Sequence, residues 1–324
     1  MNGGIMFDVI TVGSAVEDVF LSGPAFKPHT EPDGEKVAEF PLGAKIEVEN
    51  VVNSTGGGAT NAAVTFARQG LKPAFLGSIG QDPAGEAIEK MFDDEGVNYD
   101  HVAYDEEYAT DYSTLLLSPS GERTILIYRG ASHNLNWADY DTANLNAKWA
   151  YMTSCAGNFE FINAFVDWAN QKNIKVAMDP GSLELEDKVA MHALLPRLSM
   201  IKANRQELGS LVDEDHPEKI IRALADQVDY AIVTDGPGGS WASDGKTMVK
   251  AGMYEDVDVK DRTGAGDAFG SGFVASIING GGLAEAMILG SANSTSVVQY
   301  VGAKKGILTS SSQLHDMPLE ISSL

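Results

Sequence analysis

The sequence contains little cysteine, no long apolar run and few basic side chains. Its 324 residues include one cysteine, Cys155, which cannot form a disulfide bond within the chain, so a cytoplasmic location is the simplest expectation. No stretch of about 18 apolar residues occurs, which predicts that no helix spans a membrane. The segment Met1–Gly13 lacks the basic and apolar parts of a signal peptide and predicts a first strand instead.

Acidic residues outnumber basic ones twofold, with 46 Asp and Glu against 23 Lys and Arg and a formal net charge of −23. A surface of this charge repels nucleic acids and anionic membranes, so neither is an expected partner. Solubility, or adaptation to a salty interior, is a sufficient explanation of the charge. A polyanionic ligand would have to be bound by backbone N–H groups, helix N-termini or a metal ion.

Several catalytic motifs are also missing. The sequence has no G-x-x-x-x-G-K-[ST], so it is not a P-loop kinase, and it has neither H-E-x-x-H nor G-x-S-x-G. No G-x-G-x-x-G follows the first predicted strand, which argues against a dinucleotide-binding dehydrogenase.

Strand and helix patterns alternate along most of the chain. Short apolar runs such as Phe7–Val12 and Tyr230–Thr234 are separated by helical stretches such as Phe159–Lys172. This order predicts an α/β fold, with a mostly parallel central sheet covered by helices on both faces. In such sheets, ligands bind in the loops at the carboxyl ends of the strands.

Two segments interrupt this alternation. Residues 35–52 alternate without a helix signal, and residues 108–129 predict a hairpin that turns at Ser118–Gly121. A small β-layer inserted into an α/β domain is typical of a lid. We therefore predict an α/β core with the nucleotide site, made of residues 1–13, 51–107 and 130–324, and a β lid over the substrate site, made of residues 14–50 and 108–129.

The strongest local signal is the segment Asp261-Arg-Thr-Gly-Ala-Gly-Asp267, which opens a predicted buried helix over 264–279. Glycines at a helix N-terminus let the backbone approach a ligand, and the unpaired N–H groups there bind anions. Asp267, in the first turn, could then accept a proton from an attacking hydroxyl. The alternative is that Asp267 only caps the helix and that the glycines only permit close packing.

Four further features have a functional and a structural interpretation each. Asp18 is either a partner of substrate hydroxyls or a solvated side chain, and Gly56-Gly-Gly-Ala-Thr-Asn61 is either a ligand loop or a capped tight loop. Asn204-Arg-Gln-Glu207 presents an amide and a carboxylate on one side of a turn, which could hold hydrated magnesium or form a cap. Thr234-Asp-Gly-Pro-Gly-Gly239 is either a nucleotide loop or a β-turn.

Four of these five loops follow predicted strands, and the Asp261 segment follows Tyr254–Val259, a further candidate strand. Because the carboxyl ends of parallel strands meet at one edge of a sheet, we expect the loops to converge on one crevice.

The order and the residues of these segments resemble those of the ribokinase-like (PfkB) family of carbohydrate and nucleoside kinases. The segment GGGATN is similar to the N-terminal signature of that family and DRTGAGDAF to its C-terminal signature, and the resemblance runs from Val9 to about Gly306. It implies an α/β core with a β-sheet lid, and Asp267 as the base that activates the substrate hydroxyl.

The resemblance also implies a role for each matching residue. The anion hole would be Gly264, Ala265 and Gly266. The cofactor-binding residues would be Asn204, Glu207, Thr234, Gly236, Gly239 and Asn293, with Glu207 binding magnesium through water and Asn293 near adenine. Asp18, Gly57, Gly58 and Asn61 would face the phosphoryl acceptor, and Asp261 and Thr263, with the loop around Gly302, would bind a potassium-type cation. Arg129, at the end of the hairpin, either reaches the substrate or is solvated.

Some positions depart from the family pattern. Val16 and Cys155 stand at or near positions where ribokinases have sugar-binding Asn and Glu, and Gly58 replaces a lysine of the GGKGAN form. Arg262 replaces a small residue, so its side chain must point away from the nucleotide. Cys155 is more simply a small core residue. These departures concern ribose as the acceptor and leave the phosphotransfer residues unchanged.

The predicted function is the transfer of the γ-phosphoryl group of ATP to a hydroxyl of a small sugar, with Asp267 as general base. Mg²⁺ is the expected cofactor, and K⁺ is a candidate second cation. A nucleoside kinase is the alternative, and a non-catalytic sugar-binding regulator is a third hypothesis. Phosphosugars are less expected acceptors, because Gly13–Asn61 contains few basic residues. An exposed lid edge would permit a homodimer.

Overall fold

The computed structural model describes residues 6–118, 123–253 and 257–324. The strands are β1 (Met6–Val12), β2 (Val16–Ser22), β3 (His29–Thr30), β4 (Lys36–Val37), β5 (Asn50–Gly56), β6 (Pro73–Leu76), β7 (Ser78–Gly80), β8 (Ala103–Asp105), β9 (Asp111–Leu117), β10 (Arg123–Tyr128), β11 (Asn146–Met152), β12 (Lys175–Met178), β13 (Met200–Asn204), β14 (Tyr230–Thr234), β15 (Ser240–Ser243), β16 (Thr247–Ala251) and β17 (Leu319–Ser323). The α-helices are α1 (Gly58–Arg68), α2 (Pro83–Glu95), α3 (Phe159–Gln171), α4 (Ser182–Glu186), α5 (Lys188–Leu194), α6 (Arg205–Val212), α7 (Pro217–Leu224), α8 (Ala265–Ile278) and α9 (Leu283–Val297).

A nine-stranded sheet lies at the centre, in the order β17-β16-β15-β14-β13-β12-β11-β1-β6. The strands from β14 to β6 in this order run parallel to one another, whereas β15, β16 and β17 are added antiparallel at one edge. The predicted mostly parallel sheet is therefore confirmed. Its parallel strands end at a common edge, where the predicted ligand loops begin.

Helices cover both faces of this sheet, as the residues of β11 illustrate. Tyr151 packs in a cluster with Phe273 of α8, whereas its neighbours Ala150 and Met152 pack in another cluster with Phe165 of α3. Successive side chains of a strand point to opposite faces, so a strand that is apolar at every position needs an apolar layer on each side. Helices α1, α8 and α9 form one layer, and α3, α5, α6 and α7 form the other.

Helix α8 forms close to the predicted range of 264–279. All of its residues from 268 to 276 are buried, because it lies between the central sheet, α1 and α9. A helix that is apolar all round needs such surroundings. The burial fixes its axis, and so fixes the position of its N-terminal turn.

A separate four-stranded sheet has the order β10-β9-β2-β5. Strand β2 is parallel to β9 and antiparallel to β5, and β9 pairs with β10 as the predicted hairpin. Of the predicted turn at Ser118–Gly121, only Ser118 lies within the described residues. The sheet corresponds to the small β-layer expected from the sequence.

Two details differ from the expectation. Strand β5 pairs with β2 from Asn50 to Gly56, so the chain leaves the small sheet about six residues beyond the predicted boundary at residue 51. Most of 35–52 is not strand, apart from β4 and the start of β5. In the predicted strand Tyr254–Val259, residues 254–256 lie outside the described part of the chain and 257–259 are not strand.

None of the helices in the described parts of the chain is long and apolar enough to cross a lipid bilayer.

Candidate active site

The N-terminal turn of α8 leaves backbone N–H groups without acceptors. Gly264 caps the helix in the left-handed conformation, with φ 77°, and a Cβ there would lie 2.8 Å from the Cα of Ala303. The N–H of Ala268 bonds to the carbonyl oxygen of Gly264 at 2.9 Å, but those of Gly266 and Asp267 have no partner within the described residues. These groups and the helix dipole have the chemistry of the predicted anion site.

The carboxylate of Asp267 lies on this turn and is held by a side chain from α1. The amide nitrogen Nδ2 of Asn61 donates to Oδ2 of Asp267 at 2.7 Å. The amide oxygen Oδ1 of Asn61 in turn accepts from Nζ of Lys304 at 2.7 Å. A chain of hydrogen bonds therefore runs from a buried ammonium to the predicted base. Asn61, expected to face the acceptor, is engaged by protein groups at both ends of its amide.

Asp18 approaches the same cluster from the small sheet. Its side chain is 7% exposed and accepts a hydrogen bond from Ser113, the residue opposite it in β9. The nearby charges include those of Lys304, Asp261 and Asp267. The predicted acceptor residue and the predicted base are thus brought together across the junction of the two sheets.

Burial changes the titration of two of these groups. It raises the pKa of Asp18 to about 6, although the charge of Lys304 and the Ser113 hydrogen bond act in the opposite direction. It lowers the pKa of Lys304 to about 7, opposed by the charges of Asp18 and Asp267. Both groups therefore exchange protons much closer to neutral pH than an exposed carboxylate or ammonium does.

A second buried pair flanks the turn on its other side. Nζ of Lys202, in the middle of β13, donates to Oδ2 of Asp179 at 2.7 Å, and the hydroxyl of Tyr151 donates to the same oxygen at 3.2 Å. A Cβ on Gly266 would lie 3.0 Å from Nζ of Lys202. Burial raises the pKa of Asp179, which the charge of Lys202 opposes. A cation thus stands directly beside the anion site.

A cavity opens next to the first turn of α8. It is lined by Thr234, Gly236, Gly239, Ser240, Gly252, Met253, Ala265, Gly266, Phe269, Ser291, Ser294 and Thr295. The loop after β14 and the anion site therefore share one cavity, as expected. Its wall combines an apolar side, at Phe269 and Met253, with several small hydroxyl groups.

Asn293 does not line this cavity, in contrast to its expected place near adenine. It is fully buried, with Nδ2 donating to the carbonyl oxygen of Ala268 at 2.8 Å and Oδ1 accepting from the N–H of Leu308 at 2.8 Å. On α9, residues 291, 294 and 295 share the face turned to the cavity, and position 293 is rotated away from it. Asn293 therefore joins α8, α9 and the segment after Gly306.

The sequence model described as pfkB family carbohydrate kinase matches residues 34–310. The chain belongs to this family. An uncharacterized sugar kinase of Archaeoglobus fulgidus is 27% identical over 248 residues, which cover 75% of this chain and 97% of that protein. The structure of a nucleoside kinase from Methanocaldococcus jannaschii has a TM-score of 0.76 at 21% identity and covers 95% of this chain and 96% of its own. That of Arabidopsis thaliana ribokinase, solved with ribose and ATP, has a TM-score of 0.75 at 21% identity, with 94% and 97% covered. The chain is a carbohydrate kinase with the ribokinase fold.

In this kinase, the glycine run before α1 packs against protein. Gly57 has φ 95°, and a Cβ there would overlap the carbonyl oxygen of Ser14. A Cβ on Gly58 would lie 2.9 Å from the side chain of Thr153. Both predicted acceptor-loop glycines thus have a structural requirement of their own. It is Asn61, four residues after Gly57, that carries a functional group to the cluster.

Asn204 and Glu207 form a reciprocal cap on α6. The N–H of Glu207 bonds to Oδ1 of Asn204 at 2.9 Å, and the N–H of Asn204 bonds to Oε2 of Glu207 at 3.0 Å. The pair stands at the carboxyl end of β13, next to Thr234 at the end of the neighbouring strand. The other carboxylate oxygen, Oε1 of Glu207, has no hydrogen bond to the described residues, so the cap leaves it available to a ligand.

Asp261 connects two loops of the predicted cation site. Its Oδ1 accepts from the N–H and hydroxyl of Thr263, at 3.0 and 2.7 Å, and its Oδ2 accepts from the N–H of Gly302 at 3.0 Å. The carboxylate is 2% exposed, and all three of these donors are neutral. The structure thus brings Asp261, Thr263 and Gly302 together.

The three remaining residues discussed in the sequence are either exposed at the surface or buried in the core. Arg129 and Arg262 have exposed side chains. Cys155 is buried in the core, where its Sγ lies 3.5 Å from the carbonyl oxygen of Thr153, as expected for a small core residue.

Sequence reasoning missed three charged residues of the site. Asp179 follows a predicted strand directly, and Lys202 precedes Asn204 by two residues, so the strand-end rule that selected Asn204 could have selected both. Lys304 follows no strand and is adjacent to a second lysine, Lys305, which is exposed. Only the three-dimensional structure distinguishes the two lysines.

Proposed function

We propose that this kinase transfers the γ-phosphoryl group of ATP to a hydroxyl of a small sugar, with Asp267 as the general base. The observation that carries the proposal is the first turn of α8. This turn carries the carboxylate of Asp267 and two backbone N–H groups without partners among the described residues; Ala265 and Gly266 of the turn line the cavity, and the ammonium of Lys202 lies next to Gly266. Phosphoryl transfer needs this combination of proton acceptor and fixed positive charge.

The nucleotide would occupy the cavity between the loop after β14 and α9. Gly236 and Gly239 let the backbone of that loop approach the ligand, and Phe269 and Met253 offer an apolar surface to the base. The phosphates would then lie along the N-terminus of α8, where the N–H groups and Lys202 offset the charge that develops on the transferred group.

The acceptor would lie under the small sheet, between Asp18 and Asp267. Oδ2 of Asp267 is held by Asn61, which leaves Oδ1 to receive the proton of the attacking hydroxyl. Asp18 and Ser113 would bind further hydroxyls of the acceptor. Closure of the small sheet over the acceptor would exclude water, which is the competing nucleophile.

Two ions fit the donor groups present. The free oxygen of Glu207 suits hydrated Mg²⁺ at the phosphates, and such an ion supplies positive charge to the transferred group. The buried carboxylate of Asp261 receives hydrogen bonds from neutral donors, so a monovalent cation such as K⁺ would complement its charge.

The polar side chains on the acceptor side favour a sugar over a nucleoside. Asp18, Ser113 and Asn61 offer a carboxylate, a hydroxyl and an amide, which match sugar hydroxyls. A nucleoside kinase remains the second candidate, because the M. jannaschii nucleoside kinase shares the fold. Adenosine therefore belongs in the acceptor panel, together with pentoses, hexoses and keto-acid sugars.

The decisive experiment compares Asp267→Asn with the wild type for ADP release across that panel. We expect wild-type turnover with at least one acceptor, and a kcat lower by at least about 10²-fold in the variant, since general-base help is lost while the fold and nucleotide binding persist. Asp226→Asn, at an exposed aspartate, is the matched control. Near-normal turnover of Asp267→Asn would remove the base from the mechanism, and ligand binding without turnover in the wild type would indicate a regulator instead.

The small sheet also supports a homodimer. Strand β10 is an edge strand, and its Leu126 and Ile127 are each 57% exposed although they point to opposite faces. Pairing of such edges between two copies would satisfy backbone groups and cover these side chains. Light scattering should show a dimer that Ile127→Lys dissociates; a wild type that is monomeric at working concentration would contradict this part of the proposal.

A further inference from the structure

Lys304 is a buried charged residue that the proposed chemistry does not use. Its side chain is nearly enclosed, and Nζ lies 2.7 Å from the carbonyl oxygen of Thr55, 2.9 Å from Oγ1 of Thr60 and 2.7 Å from Oδ1 of Asn61. An ammonium carries three donor hydrogens, so the three contacts account for all of them.

All three partners act as acceptors. A carbonyl oxygen and an amide oxygen can only accept, and the hydroxyl of Thr60 donates its own hydrogen to the carbonyl oxygen of Gly56 at 2.6 Å. The protonated lysine therefore has no hydrogen left for a substrate or a phosphate. Any effect that Lys304 exerts through hydrogen bonds on the reaction must pass through the residues that it holds.

Among these residues, Asn61 has a direct connection to the proposed base. An asparagine side chain can be rotated so that either its oxygen or its nitrogen faces a given neighbour. Because the ammonium of Lys304 is a donor, it selects the orientation in which the amide oxygen of Asn61 faces Lys304. The opposite end, Nδ2, then faces Asp267 and donates to Oδ2 at 2.7 Å. Reversal of the amide would place its oxygen against the carboxylate, where two acceptors repel.

We propose that Lys304 is a positioning residue that acts through Asn61 to hold the carboxylate of Asp267 in the orientation needed for proton abstraction. The proposal rests on the function proposed above. Lys304 fixes the amide, the amide fixes Oδ2, and Oδ1 is left directed at the acceptor hydroxyl. Small errors in the placement of a reacting group are costly in rate, so this indirect contact matters for turnover.

A purely structural role makes a different prediction. The contacts to Thr55 and Thr60 also fasten the end of β5 to the start of α1, so removal of Lys304 lowers stability in either case. In the structural case, its removal would act on the rate independently of Asn61. In the positioning case, Lys304 and Asn61 affect kcat through the same interaction. The decrease in kcat in the double variant should then be little larger than that in either single variant.

The test is a double-mutant cycle of Lys304→Met and Asn61→Ala, with kcat and the KM for ATP measured at saturating acceptor. We expect each single variant to lose between about 10- and 100-fold in kcat, with the KM for ATP within about threefold of the wild type. In the Asn61→Ala background, Lys304→Met should cost less than about threefold more. Lys305→Met is the matched control, because this neighbouring side chain is exposed and lies over the ring of Tyr300.

The inference is overturned if Lys304→Met keeps the wild-type kcat, or if its cost is as large in the Asn61→Ala background as in the wild type. Should Lys304→Met fail to fold, as judged by thermal unfolding, the same cycle is run with Lys304→Gln, which retains an N–H₂ donor and is expected to keep more activity. Absence of phosphoryl transfer in the wild type itself would instead contradict the proposed function, so the two failures are distinguishable.

Discussion

Two glycine runs, one before α1 and one at the start of α8, begin helices that meet at the site. They differ in how much of the space beside the glycines is occupied by protein. Before α1, a Cβ on Gly56 would overlap the carboxylate of Asp18, and one on Gly57 would overlap the backbone of Ser14. At α8, the added Cβ of Gly266 would meet only the flexible end of Lys202, at 3.0 Å. The first run is filled by protein; in the second, Gly264 packs against Ala303, and Ala265 and Gly266 border a cavity.

The difference shows that one sequence signal has two physical causes. A glycine can be required because another part of the chain occupies the space of its side chain, or because a ligand does. In the sequence both runs indicated a ligand. In the structure, the first joins the small sheet closely to the core, whereas the second borders the cavity beside α9.

The largest effect should come from Gly57→Ala. At φ 95° a non-glycine residue costs about 1–3 kcal/mol in conformation alone, and overlap with the Ser14 carbonyl adds to this. We expect a corresponding fall in the free energy of unfolding, measured by urea denaturation. Gly34→Ala is the control, because Gly34 has the same φ with no atom near its Cβ position. If Gly57→Ala lost activity at unchanged stability, the first run would be a ligand loop after all.

A smaller effect, of the opposite kind, should follow from Gly266→Ala. Alanine is the better residue within a helix, so the free energy of unfolding should be unchanged or rise by about 0.4–1 kcal/mol. The value of kcat/KM should fall about tenfold, because the methyl group stands between the anion site and Lys202. Steady-state kinetics on one preparation checks the expected decrease in kcat/KM, and urea denaturation of the same preparation checks the free energy of unfolding. A marked loss of stability would show that protein, not ligand, needs this glycine.

The fold was predictable from the sequence where the spacing of apolar residues matches the side chains that are buried. The alternation of apolar runs and amphipathic helices predicted the parallel sheet, and the small apolar residues after Gly264 predicted α8 within one residue at each end. The boundary of the small sheet was placed too early, at residue 51, because no turn signal separates the exposed valines at 51 and 52 from the rest of β5, which continues to Gly56.

The site was predictable only where its residues are close to a strand end or a motif. Thr234, Gly236 and Gly239 do line the cavity with the turn of α8. Asn293 was assigned to the wrong face of α9, since no local signal tells which face of a helix buried on most sides meets the ligand. The bond between Asn61 and Asp267 joins residues 206 positions apart, so it follows from packing rather than from sequence pattern.

Strand β5 ends at Gly56 and α1 begins at Gly58, so a single residue separates the small sheet from the helix that carries Asn61. A connection of one residue allows little movement of the small sheet relative to α1. Any rotation of the small sheet relative to the core would have to be accommodated by the torsions of Gly57, of the three-residue link between β1 and β2, and of the links that lead into β9 and out of β10. These short links restrict the position of Asp18 relative to Asp267, and extra residues at Gly57 would loosen that restriction.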